Sequence, residues 1–157
     1  MIRRAEEKDI AQINGLLYQV HKVHSDVRPD LFKPGCKKYN DDDLKKIISN
    51  DKTPIFVYDE NGMIEGYSFC IIKDTTSIES LTSYKSLYID DLCVDESIRG
   101  KGIGKSLYSY VKAYAKEIGC YNLTLNVWAD NKNALRFYES IGMHIQKIGM
   151  EVILDSN

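Results

Sequence analysis

The strongest constraint in this chain is the run Leu87-Tyr88-Ile89-Asp90-Asp91-Leu92-Cys93-Val94. It reads as a strand and passes within a few residues into Arg99-Gly100-Lys101-Gly102-Ile103-Gly104-Lys105. Beyond the glycines, Ile103, Leu107, Val111 or Tyr110, Tyr114 and Ile118 recur at helical spacing. A strand that turns through glycines into an amphipathic helix belongs to a packed α/β layer. The same turn bares its backbone, so an anionic ligand can approach and meet the free N–H groups of the helix start. Between Glu96 and Glu117 stand Arg99, Lys101, Lys105, Lys112 and Lys116 with no acidic residue, although the whole chain carries a net charge of −2. Such a local field suits a pyrophosphate.

Two familiar phosphate loops fail here. A Walker A loop ends as Gly104-Lys105-Ser106 does, but its required first glycine falls on Arg99. The dinucleotide fingerprint needs G-x-G-x-x-G, whereas Gly100, Gly102 and Gly104 are spaced G-x-G-x-G. Both failures argue against nucleotide hydrolysis and against nicotinamide chemistry.

The remaining elements fit one domain over residues 1–157. Asp9-Ile10-Ala11-Gln12 reads as a capping box, and Ile10, Ile13, Leu17, Val20 and His24 continue at helical spacing. A turn-rich stretch over 25–40 precedes a short helix opened by Asp41, Asp42 and Asp43 and closed by Lys45 and Lys46, an order that suits the helix dipole. Residues 54–58 and 63–72 flank Asn61-Gly62 as a hairpin, residues 123–128 predict a strand, 133–141 a helix ended by Gly142, and 145–154 a final strand or strand pair.

With 43% hydrophobic and 28% charged residues, the composition is that of a globular chain and excludes disorder. No apolar run approaches the roughly 20 residues of a membrane helix, and the first residues carry no secretory pattern. Cys36, Cys70, Cys93 and Cys120 form no C-x-x-C pair, and three of them lie in apolar runs, as core thiols do. These features predict a reduced, cytoplasmic protein with no membrane partner. The charge gives no global case for nucleic acid.

The segment Arg99-Gly100-Lys101-Gly102-Ile103-Gly104 resembles the [QR]-x-x-G-x-[GA] acyl-coenzyme A signature of the GNAT superfamily of N-acetyltransferases. Downstream, Asn131, Ala134, Phe137, Tyr138 and Gly142 resemble the family's N-x-x-A-x-x-[FL]-Y-x-x-x-G pattern. The match covers about residues 88–143, in the family's order. The resemblance implies a mixed, mostly antiparallel central sheet flanked by helices, with splayed central strands that hold acetyl-CoA as cosubstrate. It implies no metal.

Residue by residue, the resemblance gives Leu92, Cys93 and Val94 the task of pairing with the pantetheine arm. Arg99, Gly100, Lys101, Gly102, Ile103, Gly104 and Lys105 would take the pyrophosphate, and Asn131 and Phe137 would contribute to cofactor binding. Tyr138 matches the family's general acid, which protonates the departing thiolate; a phenol of pKa about 10 and a thiol of about 8.5 are close enough for that transfer. Among 11 tyrosines, an aromatic on a short helix is otherwise a core residue.

An alkyl amine of pKa near 10.4 is only about 0.04% neutral at pH 7, so a group must accept or relay its proton. Ribosomal-protein alanine acetyltransferases place a glutamate five residues before the matching asparagine; here that position is Asn126, which is no base. Asp90 is similar to the carboxylate of polyamine-type relatives, acting through water. Strand alternation sends Asp90 and Asp91 to opposite faces, so at most one of them is expected to reach the site.

Other features carry less. His21-x-x-His24 lacks a third metal ligand nearby, Cys93 as an acyl-carrying nucleophile departs from direct transfer, and Asp41 to Asp43 are explained as helix-start charges. The resemblance therefore implies acetyl transfer to a small-molecule or peptide amine, with monomer and homodimer both open. The rival reading is a non-catalytic acyl-CoA-binding sensor. Residues 24–34 fall where relatives shape the acceptor pocket, but they carry no decodable motif.

Overall fold

In the computed structural model, which describes residues 1–154, the chain forms two compact units, Met1–Asn126 and a second from Val127 on. The first unit contains a five-stranded sheet. Its strands are β1 (Ile2–Arg4), β2 (Ile55–Glu60), β3 (Met63–Asp74), β4 (Lys85–Val94) and β5 (Asn122–Leu125), in that spatial order. All neighbours are antiparallel except β4 and β5, which are parallel. Helices α1 (Ile10–Val27), α2 (Asp41–Ser49) and α3 (Ile103–Glu117) belong to this unit, and α4 (Lys132–Ser140) to the second.

Period-2 alternation divides the sheet's faces. Ile55, Val57, Tyr67, Phe69 and Cys93 join Ile13, Leu16, Leu17 and Leu44 in one core under α1 and α2. The opposite face carries Phe56, whose ring meets Tyr110 and Tyr114 of α3 at 5.1 and 5.0 Å. Between Val111 and Tyr110, the helix buries Val111 fully and leaves Tyr110 39% exposed.

Gly66 sets how closely α3 lies on the sheet. A Cβ there would stand 2.9 Å from the Cys93 carbonyl oxygen, 3.1 Å from Leu107 Cδ1 and 3.3 Å from Ile103 Cγ2. Only a residue without a side chain lets the start of α3 rest against β3 and β4.

Several boundaries differ from the sequence reading. The capping box falls three residues early, at Glu6 and Asp9: Asp9 accepts from the Glu6 N–H at 2.8 Å inside a short 3-10 turn that leads into α1. Gln12 instead accepts from the Ile64 N–H at 2.8 Å and donates to the Gly62 carbonyl at 3.1 Å, tying α1 to the β2–β3 hairpin. Strand β1 was not legible, because three residues are too few for a period. It is fixed by Arg3, whose guanidinium donates to both Asp9 oxygens at 2.8 and 2.9 Å and to Asp59 at 2.8 Å.

Two strand expectations are corrected. Strand β5 ends at Leu125 because its parallel pairing with β4 stops there, which leaves 126–128 outside it. Residues 145–154 form no strand or strand pair. Their apolar side chains give a strand-like pattern, but a strand exists only where its N–H and C=O groups find a ladder partner.

Candidate active site

Strand β4 is paired unequally on its two sides. Toward β3 the ladder runs from Asp74–Lys85 to Gly66–Val94. Toward β5 it runs only from Ser86–Asn122 to Ile89–Leu125. From Asp90 to Val94 the second edge of β4 therefore has no β5 partner, the kind of edge on which an extended ligand can pair. Leu92, Cys93 and Val94 all lie in this stretch.

The strand then enters the glycine turn. Asp95 accepts from the Ser97 N–H at 2.9 Å and from the Ser97 hydroxyl at 2.8 Å, which holds its carboxyl below the usual range. Gly100 and Gly102 have φ of 91° and 78°, a region that L side chains rarely adopt. A Cβ at either would touch nothing within 4 Å. These glycines are thus required by backbone conformation, and the space above them is open.

Gly102 is the N-cap of α3, and no side chain caps that helix. Around this start Arg99, Lys101 and Lys105 are exposed, and no acidic residue stands in the first turn. Ile103 is buried and anchors the turn, and Gly104 follows it in the helix. Arg99 makes one long contact, Nε to the Val94 carbonyl at 3.4 Å. Unpaired helix-start donors, a positive dipole end and three cations suit a pyrophosphate without a Walker loop.

A bulge upstream places the carboxylates. The β3–β4 register shifts between Phe69, opposite Asp91, and Cys70, opposite Ile89, so Asp90 is the extra residue. The expectation that Asp90 and Asp91 face opposite ways is therefore corrected, since a bulge interrupts alternation. Tyr67 donates its hydroxyl to Asp91 at 2.8 Å and packs its ring on Phe69 at 4.8 Å. Tyr39 stacks on Phe69 at 5.6 Å and donates its hydroxyl to Asp90 at 2.7 Å. Both carboxylates thus share the α1–α2 face.

Their surroundings differ. Burial raises Asp91 to about 6, against the opposing hydrogen bond from Tyr67. Burial likewise pushes the Tyr67 phenol well above its ordinary value. Asp90 carries an ion pair: Lys38 Nζ lies 3.0 and 2.9 Å from its two oxygens. Burial and the Asp90 bond together raise the Tyr39 phenol to about 12, so it stays a donor. Lys38 and Tyr39 were missed in the sequence because about fifty residues separate them from Asp90.

The remaining candidates have local roles. Burial pushes the Cys93 thiol up to about 12, and its sulfur lies 3.5 Å from the Leu16 carbonyl, which suits a core thiol rather than a nucleophile. His21 Nε2 lies 2.6 Å from the Lys33 carbonyl, and the His24 ring packs against Phe32 at 5.2 Å. Asp41 accepts from Asn14 at 2.9 Å and Asp43 completes the capping box of α2 with Asn40, as helix-start charges do.

In the second unit, Asn131 caps α4 by accepting from the Ala134 N–H at 3.2 Å. Phe137 and Tyr138 occupy the last turns of α4, their rings 5.1 Å apart. The Tyr138 carbonyl accepts from the Ile141 and Met143 N–H groups at 3.3 and 3.0 Å, closing the helix.

Comparison with known proteins gives the family. The model of the acetyltransferase (GNAT) family matches residues 18–143. The uncharacterized N-acetyltransferase YhfO of Bacillus subtilis is 32% identical over 142 residues, covering 90% of this chain and 87% of that protein. An uncharacterized N-acetyltransferase of Methanocaldococcus jannaschii is 30% identical over 105 residues, which are 67% of this chain and 45% of that protein, so the match spans under half of it. Among solved structures, a tetramutant of the BH1408 protein of Bacillus halodurans superposes with a TM-score of 0.92 at 34% identity, covering 98% of this chain and 99% of that one.

Proposed function

The chain belongs to the GNAT acetyltransferase family, and from that membership we propose that it transfers the acetyl group of acetyl-CoA to a primary amine by direct attack. The observation that carries this reading is the unequal pairing of β4, followed by the glycine turn and the uncapped start of α3. An extended thioester arm ending in a pyrophosphate needs backbone partners followed by an anion cradle, and this arrangement supplies them in that order.

In this reading the backbone of Leu92, Cys93 and Val94 binds the pantetheine arm, and an N–H there stabilises the oxyanion of the attacked thioester. Arg99 through Gly104 with Lys105 hold the pyrophosphate, and the family resemblance gives Asn131 and Phe137 a part in cofactor binding. The side-chain oxygen of Asn131 spends one lone pair on the cap, which leaves its second lone pair and its NH2 group to meet a ligand. No residue here has to hold a metal.

Asp90 receives the acceptor. Its oxygens already accept from an ammonium and a phenol, which is the environment that orients a protonated amine. The acceptor's ammonium takes the place of Lys38, loses a proton through water and attacks the carbonyl. Tyr138 then protonates the coenzyme A thiolate as it leaves.

The test is release of free thiol from acetyl-CoA in the presence of a panel of polyamines, amino acids, aminoglycosides and peptide N-termini. Tyr138→Phe is expected to lower turnover by about 10²–10⁴-fold, the usual worth of a general acid, while leaving donor affinity unchanged. Thiol release by no amine, with donor binding intact, would favour the sensor reading instead.

A further inference from the structure

Lys38 is held more firmly than a surface lysine. Its neighbour Tyr39 is pinned by the stack on Phe69 and by its bond to Asp90. The next residue, Asn40, is the N-cap of α2 and accepts from the Asp43 N–H at 2.8 Å. The backbone on the C-terminal side of Lys38 is thus fixed, and the side chain reaches β4 to place Nζ within 3.0 Å of both Asp90 oxygens. The Asp90 side chain is only 12% exposed, that of Lys38 50%. A primary ammonium of this chain therefore rests on the carboxylate at the point where β4 loses its β5 partner.

We propose that the protein acetylates itself on Lys38 when the donor is bound and no acceptor amine is present. The inference rests on Asp90 serving the acceptor, as set out above. Chemically, Lys38 is a primary alkyl amine like the acceptor. The Lys38 ammonium gives one proton to water by way of Asp90, and the free Nζ adds to the thioester carbonyl. A C–N bond forms, the C–S bond breaks, and the thiolate leaves as coenzyme A thiol with the second nitrogen proton. The products are one amide, one thiol and one proton to solvent. Acetylation removes the lysine charge, so Asp90 keeps Tyr39 and sheds its ion partner, which opens it to an external ammonium.

The neighbouring Lys37 is a control within the same peptide. Its Nζ points to Asn14 at 2.5 Å and Asp41 at 3.4 Å, away from Asp90. Lys22, with its side chain 73% exposed, reports solution acetylation by the thioester alone.

The experiment incubates the full chain with acetyl-CoA and no amine, and follows acetyl sites by intact-mass and peptide mass spectrometry. Thermal shifts with acetyl-CoA and coenzyme A are read in parallel. The expected result is a single acetyl group, on Lys38, appearing at least about tenfold faster than on Lys37 or Lys22, the factor that about 1.4 kcal/mol of barrier lowering gives. Lys38→Arg should remain unmodified, and Asp90→Asn should bind the donor while its Lys38 falls to the rate of Lys37. Equal rates at Lys37 and Lys38 in a protein that binds the donor would overturn the inference and leave the proposed function standing. Absence of any donor-induced shift would overturn both.

Discussion

Asp91→Asn should make the protein more stable at neutral pH. In the folded chain Asp91 lies beside Tyr67 and near Asp90, and burial raises it from 3.8 to about 6. Its folded-state pKa is thus above the unfolded one. The stabilising contribution of the protonated acid is complete below about 4 and is lost as pH rises through about 6. Above that range the native state carries a poorly solvated carboxylate. The shift of roughly two units, at 1.36 kcal/mol per unit, sets a ceiling of about 3 kcal/mol. Part of Asp91 still meets solvent, so about 1–3 kcal/mol is expected. Asparagine keeps an oxygen for the Tyr67 hydroxyl, 2.8 Å away in the native chain, and removes only the charge. Urea unfolding of both proteins at pH 4, 6 and 8 measures the difference. It should be near zero at pH 4 and favour the variant at pH 8, with a melting temperature higher by about 2–4 °C per kcal/mol. A variant less stable than the parent at pH 8, or a difference constant across the series, would refute the assignment of strain to this carboxylate.

Arg3→Ala should cost about 3–5 kcal/mol at pH 7, since it strands the buried Asp9 without its partner. Burial alone would raise Asp9, but its bonds from Arg3 and the Glu6 N–H win and lower it. The parent's advantage is therefore full above the ordinary aspartate range and shrinks as pH falls through the lowered value, which acid titration of both proteins checks. Gly66→Ala should cost about 1–3 kcal/mol through overpacking against the Cys93 carbonyl and Leu107; an unchanged denaturation midpoint would contradict the close approach of α3. Gly102→Ala should cost about 1–2 kcal/mol from left-handed strain alone and should also weaken coenzyme A binding, a pairing of effects that calorimetry separates from simple destabilisation.

The parts of this fold that are local in sequence were legible, and the parts made by distant contacts were not. Helical spacing gave α1 and α3, the charge order from Asp41 to Lys46 gave α2, and Asn61-Gly62 gave the hairpin, because each depends on residues a few positions apart. The strand–turn–helix of residues 87–118 was readable for the same reason, while the left-handed conformation of Gly100 and Gly102 came only with the structure. Three features depended on remote partners. The bulge at Asp90 arises from the register with Phe69 and Cys70, so alternation alone misdirected one carboxylate. Lys38 and Tyr39 reach Asp90 across the chain, and no local pattern marks a lysine as an ion-pair donor to a strand. Residues 145–154 have strand composition without a ladder partner, which composition cannot report.

The central claim is that the β4 edge and the glycine turn accept an acyl-coenzyme A. The most direct measurement is the melting temperature of the purified protein with acetyl-CoA, free coenzyme A or ATP-magnesium. A ligand at about 100 times its dissociation constant adds about 2.7 kcal/mol, or roughly 5–10 °C in a domain of this size. The account predicts a shift of that order with both coenzyme A species and none with ATP. A shift with ATP alone, or none with either coenzyme A species, would contradict it.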